Sequence, residues 1–346
     1  MSEIFRRRVR QSRGRGQVRI EDVAQEAQVS AQTVSRFLRD PAQVSAGTAE
    51  RIRSSIARTG YLPNRVAGAL ASNRSFVVAI LVPTIANPIH AAPVEALADT
   101  LRPAGYHVLV GTTGYDPGLE EKIIEAFLGR RVDGIVVTGT SLTAHAINVL
   151  ERARIPIVQL WDLTEQPLDM VVGVDNAAAG AAVARHFFER GYRRLAVVSH
   201  SAAGDTRSLA RTDGFSREAS RLGLSEPLAL TYLRPTEMAQ APSLLAELRR
   251  PGRAVDAVFC VGDPMAIGLV LACRKLGIAV PRNLAIASFG DSDLAPLISP
   301  ALTSVHIPRH DLGRIAGEML LQRFAGKTLD KKIVDLGFTL MVRETS

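Results

Sequence analysis

From residue 76 onward the chain repeats one pattern, a short apolar run rich in β-branched residues followed by a longer stretch with helical spacing. The runs are Val77–Val82, His107–Gly111, Gly134–Val137, Ile157–Leu160, Leu195–Ser199, Ala229–Leu233, Ala257–Val261 and Leu284–Phe289. Helical spacing appears over Pro93–Leu101, Leu119–Leu128 and Ala177–Arg190. Unbroken apolar strands alternating with helices need a mostly parallel sheet covered on both faces. The series divides near Val174-Asp175, so an α/β core of two doubly wound lobes is expected. Ligands of such sheets bind outside the carboxyl ends of the strands. Polar residues and glycines gather there: Thr84, Thr112 to Tyr115, Thr138 to Ser141, Asp162, Ser199 to Asp205, Gly262-Asp263 and Gly290 to Asp293.

The first 75 residues follow a different rule. They hold 14 Arg, no Lys and 6 acids, while residues 76–346 carry 28 basic and 28 acidic groups, so the whole formal charge of +8 lies on the first fifth of the chain. Localised positive charge is the footprint of a polyanionic partner, because each phosphate contact releases condensed counterions. Arg6, Arg7, Arg8, Arg10, Arg13 and Arg15 lie in a Gly/Ser-containing stretch without periodicity, which reads as a disordered basic arm over residues 1–18.

From Ile20 the spacing becomes helical, with Val23, Ala24 and Ala27 on one side and Glu21 and Asp22 in the first turn, where the helix dipole favours anions. Gln28-Val29-Ser30 interrupts it. Ser30 is a suitable N-cap for a second helix to about Leu38, with Val34, Phe37 and Leu38 inward. A third helix follows the Ser45 cap, buries Ala49, Ile52 and Ile56, and ends near Gly60. This is a helix-turn-helix unit over residues 19–63. Its second helix would enter the major groove and present Ala31, Gln32 and then Arg36 to base edges. Gln pairs with adenine, Arg with guanine, and Ala touches a thymine methyl. Ser30, Thr33, Ser35 and Ser45 suit phosphate contacts.

The block Val29-Ser30-Ala31-Gln32-Thr33-Val34-Ser35-Arg36, then Tyr61-Leu62-Pro63-Asn64-Arg65-Val66-Ala67, resembles the lactose-repressor/galactose-repressor family of bacterial regulators over the chain from about residue 18. One departure is Gln28, where that family has a turn Gly. The resemblance implies a hinge helix over 64–75 that folds only on DNA, with Asn64 at its start and Leu70 as the wedge between base steps. The matching stretch, residues 64–72, is nine residues containing Gly68, too few to hold a helix alone in water. It also implies a core like the periplasmic sugar-binding proteins, with an N-lobe of about 76–174 and 306–336 and a C-lobe of about 175–305 and 337–346. A homodimer on a pseudo-palindromic double-stranded DNA operator would follow.

The same resemblance assigns Asp162, Arg211 and Asp263 to effector binding, beside the strand-end residues Thr84, Tyr115 and Thr138. Gly262 and Gly290 replace two polar residues common in that family, which weakens the case for a neutral sugar. Arg309, and Arg207 one turn from Arg211, add basic groups suited to a carboxylate through bidentate pairing. Thr33 to Arg39, Gly114-Tyr115 with Pro117, the Thr303-to-Arg309 spacing and Asp335 to Leu340 resemble the gluconate-utilisation branch. A sugar acid, gluconate foremost, is therefore the expected effector, released-from-DNA control the expected sign, and a neutral sugar or a corepressor the alternative.

Other classes fit less well. The chain has no GxxxxGK[ST], GxSxG or HExxH motif, so no enzyme, catalytic residue or cofactor is expected. His306 and His310 have metal-like spacing, but Pro308 between them disfavours a helix and no third ligand is evident, so no metal is expected. A free-standing sugar-binding protein would lack the headpiece. An architectural DNA protein would not need a neutral cleft-bearing core. Two cysteines, no secretory signal and no apolar run of membrane-spanning length point to a cytoplasmic protein without disulfides.

Overall fold

The computed structural model describes residues 18–62, 74–200, 204–233, 237–253 and 255–346. The chain divides into two compact units, Met1–Ser75 and Phe76–Ser346. The expected basic arm, and Asn64 and Leu70 of the expected hinge, lie outside the described residues.

The first unit is built on α1 (Ile20–Ala27), α2 (Ala31–Arg39) and α3 (Ala46–Thr59). Each start has a local cause. The Arg19 backbone N–H donates to the Asp22 carboxylate (2.7 Å), and the Ser30 and Ser45 hydroxyls accept from the Thr33 and Thr48 N–H groups. Gln28 ends α1 in the left-handed conformation (φ 54°, ψ 47°), the geometry expected of a turn where glycine would be cheaper. Val23, Ala24, Ala27, Val34, Phe37, Ala49, Ile52 and Tyr61 form the core. Ser55, fully buried on α3, donates to the Val23 carbonyl of α1 (3.1 Å), so its hydroxyl is satisfied where water cannot reach.

The second unit holds two six-stranded sheets. Its elements are β1 (Val77–Val82), α4 (Pro88–Leu101), β2 (His107–Thr112), α5 (Pro117–Gly129), β3 (Gly134–Thr138), α6 (Ala144–Ala153), β4 (Ile157–Leu160) and β5 (Met170–Gly173). Then come α7 (Asn176–Glu189), β6 (Leu195–His200), α8 (Thr206–Arg221), β7 (Leu228–Tyr232), α9 (Glu237–Leu248), β8 (Ala257–Cys260), α10 (Asp263–Lys275) and β9 (Ala285–Phe289). β10 (Thr303–His306), α11 (Arg309–Phe324), β11 (Ile333–Asp335) and β12 (Thr339–Met341) complete it. The first sheet runs β11-β5-β4-β3-β1-β2 and is parallel throughout; the second runs β12-β10-β9-β8-β6-β7, with only β12 antiparallel.

The chain passes between sheets three times, at 174–175, 307–308 and 336–338. His306 closes a strand of the second sheet, so the return to the first lobe begins at Ile307 rather than at 306. Strand reading also missed β5, β10, β11 and β12. The helix expected from Pro93 begins at Pro88, where Asn87 caps it through the Ile89 N–H (3.1 Å), and Pro93 lies inside it.

Helices α7 and α8 meet at glycines. A Cβ on Gly180 would stand 2.0 Å from the Arg211 carbonyl oxygen, and one on Gly214 2.0 Å from that of Ala177. Only glycine permits this approach, which sets the start of α7 against the middle of α8 beside the first interlobe passage.

Candidate nucleic-acid interface and ligand cleft

On the first unit, Gln32 and Arg36 are exposed one turn apart on α2, and Ala31, Thr33 and Ser35 are half-buried beside them. This is the spacing needed for two side chains to reach successive bases from one helix face. Ser30 and Ser45 spend their acceptor capacity on capping, and each also bonds a neighbouring threonine hydroxyl, Thr33 and Thr48 (both 2.9 Å). They fix the helix starts and hold exposed hydroxyls at the same place.

On the second unit, the strand ends of the two sheets face a cavity of about 1130 Å³ whose walls include Thr84, Tyr115, Asp263, Phe289, Gly290 and Arg309. A recess of about 30 Å³ adjoins it, lined by Thr113, Tyr115, Glu120, Thr138, Gly139 and Arg207 among others. Tyr115 and Pro83 belong to both walls. The expected effector residues therefore divide between two connected spaces, with Asp162 and Arg211 behind them.

Arg211 is fully buried. It donates to the Asn176 side-chain carbonyl (2.6 Å) and the Ser208 hydroxyl (2.9 Å), and its guanidinium lies 4.1 Å above the centre of Phe289, a cavity residue. No described carboxylate is within ion-pair range, and its Nε is buried without a hydrogen bond among the described residues. Burial pushes its pKa down to about 10, with Asp205 acting the other way, so it stays cationic at neutral pH. Asn176 in turn donates to the Trp161 carbonyl (2.9 Å) and to Asp162 (3.4 Å), whose other oxygen accepts from Thr140 (3.0 Å). Buried polar groups thus run from α8 to the end of β4, across the lobes.

Asp205 is the second hub. Its carboxylate accepts from Ser208 (2.6 Å), contacts His200 Nε2 (2.5 Å) and pairs with Arg207 (3.3 Å). Burial acts to raise its pKa, but Arg207, His200 and Arg211 together hold it well below the carboxylate range. Serine, histidine and aspartate here do not form a nucleophilic triad. Ser208 and Asp205 approach the same imidazole nitrogen, whereas a triad uses the two nitrogens for the two partners.

Asp263 is otherwise occupied. Its carboxylate accepts from the Ser288 (2.5 Å) and Ser304 (2.8 Å) hydroxyls and the Ser292 N–H (2.5 Å), tying α10 to the loop after β9. Arg309, at the start of α11, donates to the Asp291 carbonyl (3.2 Å) and pairs with Asp293 (3.3 Å). His306 turns to Asp291 (3.0 Å) rather than to His310, and among the described residues no group of three or more His, Cys, Asp and Glu could hold a metal. No described helix is long and apolar enough to cross a membrane. His200 and Asp205 fall within the strand-end run Ser199 to Asp205 expected from the sequence, whereas Asn176, Ser208 and Glu120 have no such signal; the helix-starting Asp175-Asn176 pair is the only sequence pointer to Asn176.

Residues 19–64 match the family described as bacterial regulatory proteins, lacI family, and residues 184–346 match a periplasmic binding protein-like domain. The chain is 36% identical to the HTH-type transcriptional regulator GntR of Pseudomonas aeruginosa, over 97% of each chain. It is 32% identical to the Escherichia coli K12 protein of that name, over 93% of this chain and 96% of the other. A lacI-family regulator from Silicibacter pomeroyi has the same fold at 27% identity and a TM-score of 0.90, covering 95% of this chain and 99% of its own.

Proposed function

Because the chain belongs to the lacI family of bacterial regulatory proteins, and is thus a DNA-binding transcriptional regulator, we propose that it represses sugar or sugar-acid catabolism genes and leaves its operator on binding a sugar acid, gluconate foremost. The observation that carries the effector reading is the set of cations around the cleft. Arg309 and Arg207 stand in its walls, and Arg211 lies behind Phe289 with only neutral hydrogen-bond partners. Gly262 and Gly290 offer no side-chain acceptors for sugar hydroxyls, and Asp263 is already saturated.

In this reading a homodimer in the cytoplasm places one first unit on each half-site. Ala31, Gln32 and Arg36 read bases, while Ser30, Thr33, Ser35, Ser45 and Asn64 hold phosphates. Leu70 wedges a base step open. The effector, gripped by Thr84, Tyr115, Thr138, Asp162, Arg207, Arg211 and Arg309, favours a closed arrangement of the lobes in which the segment around Leu70 loses its docking. Such a switch needs the ligand to prefer the non-binding state by a few kcal/mol.

Release of the chain's own operator, followed by fluorescence anisotropy with D-gluconate and with D-glucose, tests this. Gluconate alone should release it. Release by glucose alone would favour a neutral sugar, and tightening by either would make the ligand a corepressor.

A further inference from the structure

Arg207 reaches across the cleft from the C-lobe. Its Nη1 donates to the Thr138 carbonyl at the end of β3 (3.4 Å) while Nη2 stays on Asp205 (3.3 Å). A Cβ on Gly139 would stand 2.4 Å from that Nη1, so a side chain at 139 would displace the tip of the guanidinium from this path. The recess it enters is closed from the N-lobe by the half-buried Glu120, on the first turn of α5. Among the described residues nothing donates a hydrogen bond to the Glu120 carboxyl. The other charged or titratable groups facing it are Asp116 at the start of its own helix and Tyr115 in the preceding loop, with His200 behind Asp205. A carboxyl and a guanidinium from opposite lobes therefore share one small polar space without a direct bond.

We infer that Glu120 and Arg207 form a proton-governed carboxylate subsite, in which a ligand carboxylate lodges against Arg207 only as Glu120 takes up a proton. This rests on the sugar-acid reading and adds to it a residue and a control. Two carboxylates beside one cation cannot both stay ionised at little cost. The neutral acid removes the repulsion and can donate a hydrogen bond to the incoming anion. The proton comes from solvent and goes to the Glu120 carboxyl; no covalent bond forms or breaks. Glu120 is poised for this role, since burial pushes its pKa up to about 7 against the pull of Arg207. A neutral sugar would bind without the proton.

The test uses the full chain, D-gluconate as probe and calorimetry in buffers of different ionisation enthalpy. Binding at pH 8 should take up about one proton, and affinity should fall about tenfold from pH 6 to pH 8. Glu120→Gln should remove both effects. Gluconate binding without proton uptake, or with the same uptake in Glu120→Gln, overturns the subsite. A ligand-free readout separates it from the effector reading: carbon-13 carboxyl titration should place Glu120 near neutrality, and Arg207→Met should move it higher. If gluconate fails to bind at any pH, the sugar-acid reading falls, and the pair is judged on that titration. An ordinary Glu120 titration, or one indifferent to Arg207→Met, overturns it.

Discussion

The Arg211 guanidinium donates to Asn176 at 2.6 Å, joining the first turn of α7 to the second turn of α8 exactly where the chain has just crossed between lobes. The bond is buried at both ends, and Asn176 passes it on to Asp162 in the other lobe. Arg211→Ala should abolish the effector response and leave operator affinity within about twofold, because α2, the helix proposed to read bases, lies in a separate unit. Paired anisotropy titrations with and without gluconate check this. Equal loss of both properties would count against an effector role.

The packing that makes this bond possible is itself testable. Gly214→Ala places a methyl against the Ala177 backbone, where no flexible side chain can yield. Overpacking of this kind costs about 1–3 kcal/mol. Thermal unfolding of Gly214→Ala should show a clear loss of stability in the second unit and a weakened ligand response. Gly223→Ala would not serve as the control, since its positive φ adds strain of its own; Gly129→Ala, with open space at the Cβ, should be close to neutral.

Much of this arrangement is legible in the sequence, and the exceptions have physical reasons. The central strands read clearly because they are buried on both faces, as in the unbroken burial of Val78 to Val82 and Ala257 to Cys260. The edge strands β11 and β12 have three residues each with only alternate burial, too little for a periodic signal. Arg211 and Asp162, both expected at the ligand site, are linked through Asn176, but the sequence could not show that Asp263 is consumed by three partners. Ser288, Ser292 and Ser304 come from separate segments, and only the fold brings them to one carboxylate.

Gln28 is a second point where local preference was overruled. A residue with a Cβ in the left-handed region costs about 1–2 kcal/mol, and Gln28 is held there by its own N–H donating to Gln25 and by Val29 donating to Ala24. Gln28→Gly should therefore stabilise the first unit by about 0.5–1 kcal/mol after the entropy of the added glycine is counted. Urea unfolding followed by helical circular dichroism measures it, and a loss of stability would show that the Gln28 side chain contributes more than the turn costs.

The proposed base reading by α2 gives a prediction of a different kind. Arg36 is exposed, and its backbone carbonyl accepts the Asp40 N–H (2.9 Å), so α2 does not depend on its side chain. Arg36→Ala should weaken operator binding by about 1–3 kcal/mol and relax preference at one base pair. Uniform weakening across operator variants would instead make Arg36 a phosphate contact.

Glu218 contributes to acid stability. Hydrogen bonds from Arg221 (2.7 and 2.8 Å) and Arg185 (3.1 Å) hold its pKa at about 2, despite opposing desolvation. A carboxyl depressed in the folded state contributes stability that is complete above its unfolded value, about 4.3, and disappears as pH falls through the folded value. The contribution should therefore be present at pH 6 and decline between about pH 4.5 and pH 2. Glu218→Gln should lower the melting temperature at pH 6 and leave a shallower acid limb than the native chain. Parallel acid limbs would mean that Arg221 and Arg185 find equivalent partners in the unfolded chain.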